Sequence, residues 1–157
     1  EIYNNSLYLL NSKESQINKY SLQTNQISAP SNWLKEKIDL TNSADLSIDG
    51  NIYILKNNGE LIKLLKGKKV AFALEEIDPV LKNPTRLYAS LDLKFIYILE
   101  PSTKRLVIFD KNGKLIMQYQ FSQLNQVVDF AVDEKNKLIY LLADNIVYRF
   151  TGANFDK

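Results

Sequence analysis

A repeated run of short, wholly apolar strands predicts an all-β chain, and the spacing of that repeat predicts a β-propeller. Asn51-Ile52-Tyr53-Ile54-Leu55-Lys56 returns as Ser6-Leu7-Tyr8-Leu9-Leu10-Asn11, as Phe95-Ile96-Tyr97-Ile98-Leu99-Glu100 and as Leu138-Ile139-Tyr140-Leu141-Leu142-Ala143. Each run is apolar on both alternating faces, as a strand covered on both sides must be. The central tyrosines stand at 8, 53, 97 and 140, which is 43 to 45 residues apart. A period of that length made only of strands marks a propeller blade. The expected fold is a β-propeller fragment of about four blades of four-stranded antiparallel sheet. The blades fall near 1–28, 44–74, 85–121 and 127–150, the last lacking its outer strand.

In the first unit, Glu1–Tyr3 is the tail of an inner strand, turned by Asn4-Asn5 into Ser6–Leu10. Ile17–Leu22 follows, then a short strand near Gln26–Ser28. The connector Ala29–Asn42 holds Pro30 and the single tryptophan, Trp33, with room for a turn or so of helix over 33–38. In the second unit, Asp45–Asp49 alternates into an Asp49-Gly50 hairpin turn, where glycine accepts positive φ without steric conflict. Asn51–Lys56, Glu60–Lys66 and Val70–Leu74 complete that blade, with turns at Asn58-Gly59 and around Gly67. Pro79 and Pro84 confine 75–84 to a connector. The third unit places Arg86, Tyr88, Ser90 and Asp92 on one face, then Phe95–Leu99, Arg105–Phe109, an Asn112-Gly113 turn and Leu115–Phe121. The fourth offers Val128–Asp133, Leu138–Leu142 and Ile146–Phe150. Strand counting therefore expects an open arc whose last strand pairs with a segment upstream of Glu1. The competing outcome is closure by Glu1–Tyr3.

Composition removes several chemistries. The 157 residues are 45% apolar, enough for one sizeable core, with a net charge of +2 from 20 basic and 18 acidic groups. So balanced a charge gives no general attraction to nucleic acid or anionic membrane. No cysteine and no histidine is present, which excludes thiolate chemistry and the commonest general base and metal ligand. No apolar run approaches the roughly 20 residues of a membrane span. Lys63, Lys66, Lys68 and Lys69 form the densest basic patch, at a hairpin tip without the exposed aromatics that stack on bases. Nucleic acid is not the expected partner.

Asp45, Tyr88 and Asp129 each lie four residues before an aspartate, Asp49, Asp92 and Asp133. On inner strands they would converge near the axis, either as a carboxylate-lined site for calcium or another divalent cation or as wall residues beside turn-capping aspartates. Trp33 in its connector reads as an interface anchor or as a cover over its own blade. The candidate partner- or ligand-binding residues are Trp33, Asp45, Arg86, Tyr88 and Asp129; no residue is assigned as catalytic, as a cofactor contact or as a metal ligand.

Several motifs carry a family likeness: Asn32-Trp33-Leu34, Ser47-Ile48-Asp49-Gly50 before Ile52-Tyr53-Ile54-Leu55, and Asn83-Pro84-Thr85-Arg86. Lys104-Arg105-Leu106-Val107-Ile108-Phe109-Asp110-Lys111-Asn112-Gly113-Lys114 and Val128-Asp129-Phe130-Ala131-Val132-Asp133 extend it over most of the chain. The pattern resembles six-bladed NHL-type propellers. It is most similar to an uncharacterised bacterial family of C-terminal propellers, some fused to metal-dependent protein phosphatase or membrane-spanning modules. The resemblance implies further blades upstream of Glu1 in the parent chain, and leaves the compartment open. It also implies a protein- or RNA-binding platform, the minority alternative being a lyase or a lactone hydrolase, the hydrolases holding a metal through carboxylates and asparagines in the channel. The expected function is a non-enzymatic binding or scaffold module without a cofactor, its partner a protein or a small polar ligand.

Overall fold

The computed structural model describes residues 1–152 as four small antiparallel sheets in a four-blade propeller arrangement. The first blade contains β1 (Ile2–Tyr3), β2 (Ser6–Asn11), β3 (Gln16–Gln23), β4 (Gln26–Ile27) and β5 (Ser31–Asn32). Blade two is β6 (Ser43–Ile48), β7 (Ile52–Lys56), β8 (Leu61–Leu65) and β9 (Lys68–Lys69). Blade three is β10 (Arg86–Tyr88), β11 (Phe95–Glu100), β12 (Arg105–Asp110) and β13 (Leu115–Gln120). Blade four is β14 (Val127–Asp133), β15 (Leu138–Ala143) and β16 (Ile146–Thr151). Among the described residues β16 pairs only with β15, and β1 only with β2. Glu1–Tyr3 therefore does not complete the fourth blade. The last five residues, 153–157, lie outside the described part.

The repeat runs are second strands, and their two faces serve two different neighbours. Tyr8 and Ile17 pack with Ile52 and Ile54 between blades one and two. Tyr53 and Leu55 pack with Ile96 and Ile98 between blades two and three. Tyr97 and Leu99 pack with Ile139 and Leu141 between blades three and four. The first three runs thus give their Tyr and Leu to the blade that follows, and the last three give their flanking aliphatics to the blade before. Burying each such side chain contributes roughly 1.5–3 kcal/mol.

Two expected elements differ. Val70–Leu74 alternates like a strand, yet the outer strand of blade two is the short Lys68–Lys69. The chain beyond it leaves the sheet to run between blades two and three: Phe72 stands edge-on to Tyr53 of blade two at 6.0 Å, and the Glu75 amide donates to the Gly113 carbonyl of blade three at 2.7 Å. No helical turn forms over 33–38; there the Trp33 amide donates to Ile17 and the Lys35 amide to Gly67, both at 2.8 Å. Both connectors satisfy their backbone on neighbouring blades, which leaves local helix nothing to add.

Blade three also carries a buried ion pair. Glu100 and Arg105, directly opposite on β11 and β12, are 0% and 2% exposed. Arg105 Nε donates to Glu100 Oε2 at 2.6 Å, Nη1 to Gln118 Oε1 at 2.8 Å and Nη2 to the Val80 carbonyl at 3.0 Å. Glu100 also accepts from the Lys82 amide and the Thr103 hydroxyl. The pair is fully hydrogen-bonded, as burial requires, and it pins the proline-containing connector to the sheet.

Candidate functional site

Register, more than spacing, decides which side chains share the axis. Asp45 lies opposite Leu55, Arg86 opposite Leu99 and Asp129 opposite Leu142. Each of those leucines follows its repeat tyrosine by two residues, so Asp45, Arg86 and Asp129 hold one equivalent position in three blades. Tyr88 does not, contrary to the count from Asp92. It pairs with Tyr97, where the other blades place Ser47 and Ala131. The residue of blade three that matches Asp49 and Asp133 is Ser90, because the Ala89–Lys94 turn places Asp92 two residues too late to serve as the marker.

At that shared position the acidic residues act on backbone. Asp45 Oδ1 accepts from the Leu46 amide and Oδ2 from the Leu87 amide of the next blade, each at 2.8 Å. Beside it, Ser47 Oγ donates to the Ala89 carbonyl and accepts from the Ala89 amide, both at 2.9 Å. Asp129 Oδ1 accepts from the Phe130 amide at 2.9 Å and lies 3.5 Å from Arg86 Nε. The Arg86 and Asp129 side chains are 47% and 53% exposed; this pair adds at most about 1 kcal/mol, but it is open to a ligand. Glu1 exchanges backbone hydrogen bonds with Tyr8 at 2.8 Å, in line with Ser47 and Tyr88. Burial pushes the Asp45 carboxyl above its ordinary pKa against the amides of Leu87 and Leu46, and nearby Asp129 adds to the rise. Burial likewise raises the Glu1 carboxyl, with Asp45 adding to it. A cleft of ≈ 320 Å³ between blades one and two is lined by Glu1, Tyr8, Ser43, Asp45 and Leu46. Among the described residues no cluster of three or more carboxylates is placed to hold a metal ion. Trp33 does not join the axial group: its half-buried ring stands edge-on to Tyr8 at 6.1 Å, against the core of blades one and two. Tyr88 is half exposed on its inner strand.

A second polar cluster escaped sequence reading. Lys111 Nζ donates to Asp49 Oδ2 at 2.6 Å and to the Ser90 carbonyl at 3.2 Å, and it sits 5.8 Å from the Tyr53 ring centre. The Tyr53 hydroxyl donates to the same Asp49 oxygen at 3.2 Å. Burial raises the Tyr53 pKa strongly, and the Asp49 carboxylate raises it further. For Asp49, burial pushes upward, but hydrogen bonds from Lys111 and Asn51 outweigh it and leave the pKa below the ordinary value. A carboxylate lowered by folding contributes stability that is complete above its unfolded pKa and is lost as pH falls through the folded one. Urea midpoints should therefore drop between pH 5 and pH 2 by less in Lys111→Met than in the native chain. Equal drops in the two proteins would show that Lys111 does not hold Asp49 ionised.

Fold and axial group together define a β-propeller module. No protein-family model and no curated protein sequence matches the chain. Solved structures do resemble it. BamB from Moraxella catarrhalis superposes with a TM-score of 0.58 at 14% identity, over 95% of this chain and 40% of that one. A streptogramin B lyase gives 0.58 at 12% identity, over 98% of this chain and 54% of that one. The virginiamycin B lyase from Staphylococcus aureus gives 0.54 at 10% identity, with the same coverage of 98% and 54%. The chain thus spans about half the length, or less, of the propellers it resembles, and at these identities the likeness is one of fold. No helix among the described residues is long and apolar enough to cross a membrane.

Proposed function

We propose that the chain is a non-enzymatic propeller module that binds a protein or a small polar ligand on the axial surface formed by Arg86, Tyr88 and Asp129. One observation carries this: both oxygens of Asp45, the most buried carboxylate of the axial position, are occupied by backbone amides of two blades. That carboxylate ties two blades together, which supports a structural role for it. The exposed cation, phenol and carboxylate beside it suit recognition by hydrogen bonds. The rival reading, a lyase or hydrolase with a carboxylate-bound divalent metal, draws support from the lyases among the structural neighbours. Calorimetric titration with calcium, magnesium and manganese separates the readings. The expected result is no stoichiometric heat. Tight one-to-one binding that disappears in Asp45→Ala and Asp129→Ala would establish the metal site and overturn the proposal.

A further inference from the structure

A small apolar cleft of ≈ 180 Å³ opens where the connector after blade two crosses toward blade three. Its floor is the core that the two blades share: Leu74, Ile77, Leu81 and Phe109 line it and pack in that core. Val80, at its rim, is 58% exposed. The Asn58-Gly59 turn closes the other side, so near that a Cβ on Gly59 would stand 2.6 Å from the Leu81 Cβ. Both blades hold the connector in place. Glu75 Oε2 accepts from the Leu115 amide at 2.8 Å, the Val80 carbonyl accepts from Arg105 at 3.0 Å, and the Asn83 amide donates to the Asn57 carbonyl at 2.8 Å. Walls fixed in this way lose little freedom when a ligand enters. Every lining residue comes from blade two, blade three or the segment between them, so whatever adjoins blades one and four leaves the cleft unchanged.

Size and charge define the occupant. Sites for whole small molecules enclose about 300–1,000 Å³; this cleft is smaller and suits a single aliphatic side chain. Among the described residues, Glu75 and Glu76 are the only charged groups in its lining, and the exposed Asp78 follows them in the chain. Neither Glu76 nor Asp78 makes an ion pair within the described residues. The mouth is therefore acidic and the interior apolar. We propose that the cleft docks a partner protein through one leucine-sized aliphatic side chain flanked by lysine or arginine. The inserted side chain extends the core of blades two and three, and the flanking cations meet Glu76 and Asp78. This site is separate from the axial surface, since none of Arg86, Tyr88 and Asp129 lines it.

Amide NMR spectra of the full chain, titrated to millimolar concentration with terminally blocked peptides, test this. A peptide with the core Lys-Leu-Lys should shift the Gly59, Glu76, Ile77 and Leu81 signals saturably. Peptides with the cores Glu-Leu-Glu and Lys-Gly-Lys should leave them in place. Glu76→Lys should weaken the Lys-Leu-Lys peptide by roughly threefold or more, the worth of an exposed ion pair. Val80→Ser should weaken it as well. Both positions are exposed, and the unfolding midpoint of each variant should match the native chain. Failure of the Lys-Leu-Lys peptide to shift these signals overturns the proposal, as does an equal response to either control peptide or native affinity in Glu76→Lys. Equal shifts from 2-methylpropanol would show a site for free apolar molecules instead. The same shifts on concentrating the chain without peptide would assign the cleft to a second copy, and either result overturns the peptide reading.

Discussion

Arg105→Met is expected to lower the unfolding free energy by about 3–5 kcal/mol, because it strands the fully buried Glu100 carboxylate without its counter-charge. The guanidinium holds Glu100, Gln118 and the Val80 carbonyl at once, so its loss also frees the connector before blade three. Replacing both charges, as Glu100→Leu with Arg105→Met, should recover part of the loss, since an apolar pair removes the stranded charge. Recovery stays incomplete because the Lys82 amide and the Val80 carbonyl then lose their partners. Urea denaturation of the three variants gives the result directly. A midpoint for Arg105→Met within the range of ordinary surface substitutions would show that the pair carries no such weight.

Gly113→Ala should be the most damaging glycine substitution of the two that test this point. Gly113 has φ +91°, and a Cβ built there would stand 2.1 Å from the Ala73 carbonyl oxygen. That oxygen belongs to the segment leaving blade two, whose Glu75 amide donates back to the Gly113 carbonyl. Backbone strain and a steric clash with the neighbouring blade act together, for a loss of about 2 kcal/mol or more. Gly50→Ala isolates the first effect. Its φ is +101°, but a Cβ there meets nothing closer than the Tyr3 hydroxyl at 3.5 Å. Thermal or urea midpoints that fall equally in the two variants would remove the clash from the account.

The blades were legible because burial on both faces forces a run such as Ile52–Leu55 to be apolar throughout, and the recurrence of the run sets the period. Turns at Asn58-Gly59 and Asn112-Gly113 were legible for the same local reason: their glycines do adopt positive φ, +89° and +91°. Arg86 was harder to place. Its equivalence to Asp45 and Asp129 depends on the length of the turn after β10, and Asp92 imitates the marker residue two positions late. Val70–Leu74 misled because a segment crossing between blades also alternates apolar and polar residues. The Glu100–Arg105 pair had no sequence signature, since its partners Val80, Lys82 and Gln118 come together only through the connector's path and the strand register.

The amide and hydroxyl ties from Asp45 and Ser47 to Leu87 and Ala89 have an effect beyond their own energies. They join blades only to immediate neighbours, so the chain behaves as a line of coupled units, each of whose free energies depends on the one before and the one after. Blades two and three carry these ties in addition to the apolar face they share. The two blades should therefore protect their backbone amides from exchange as a single cooperative unit.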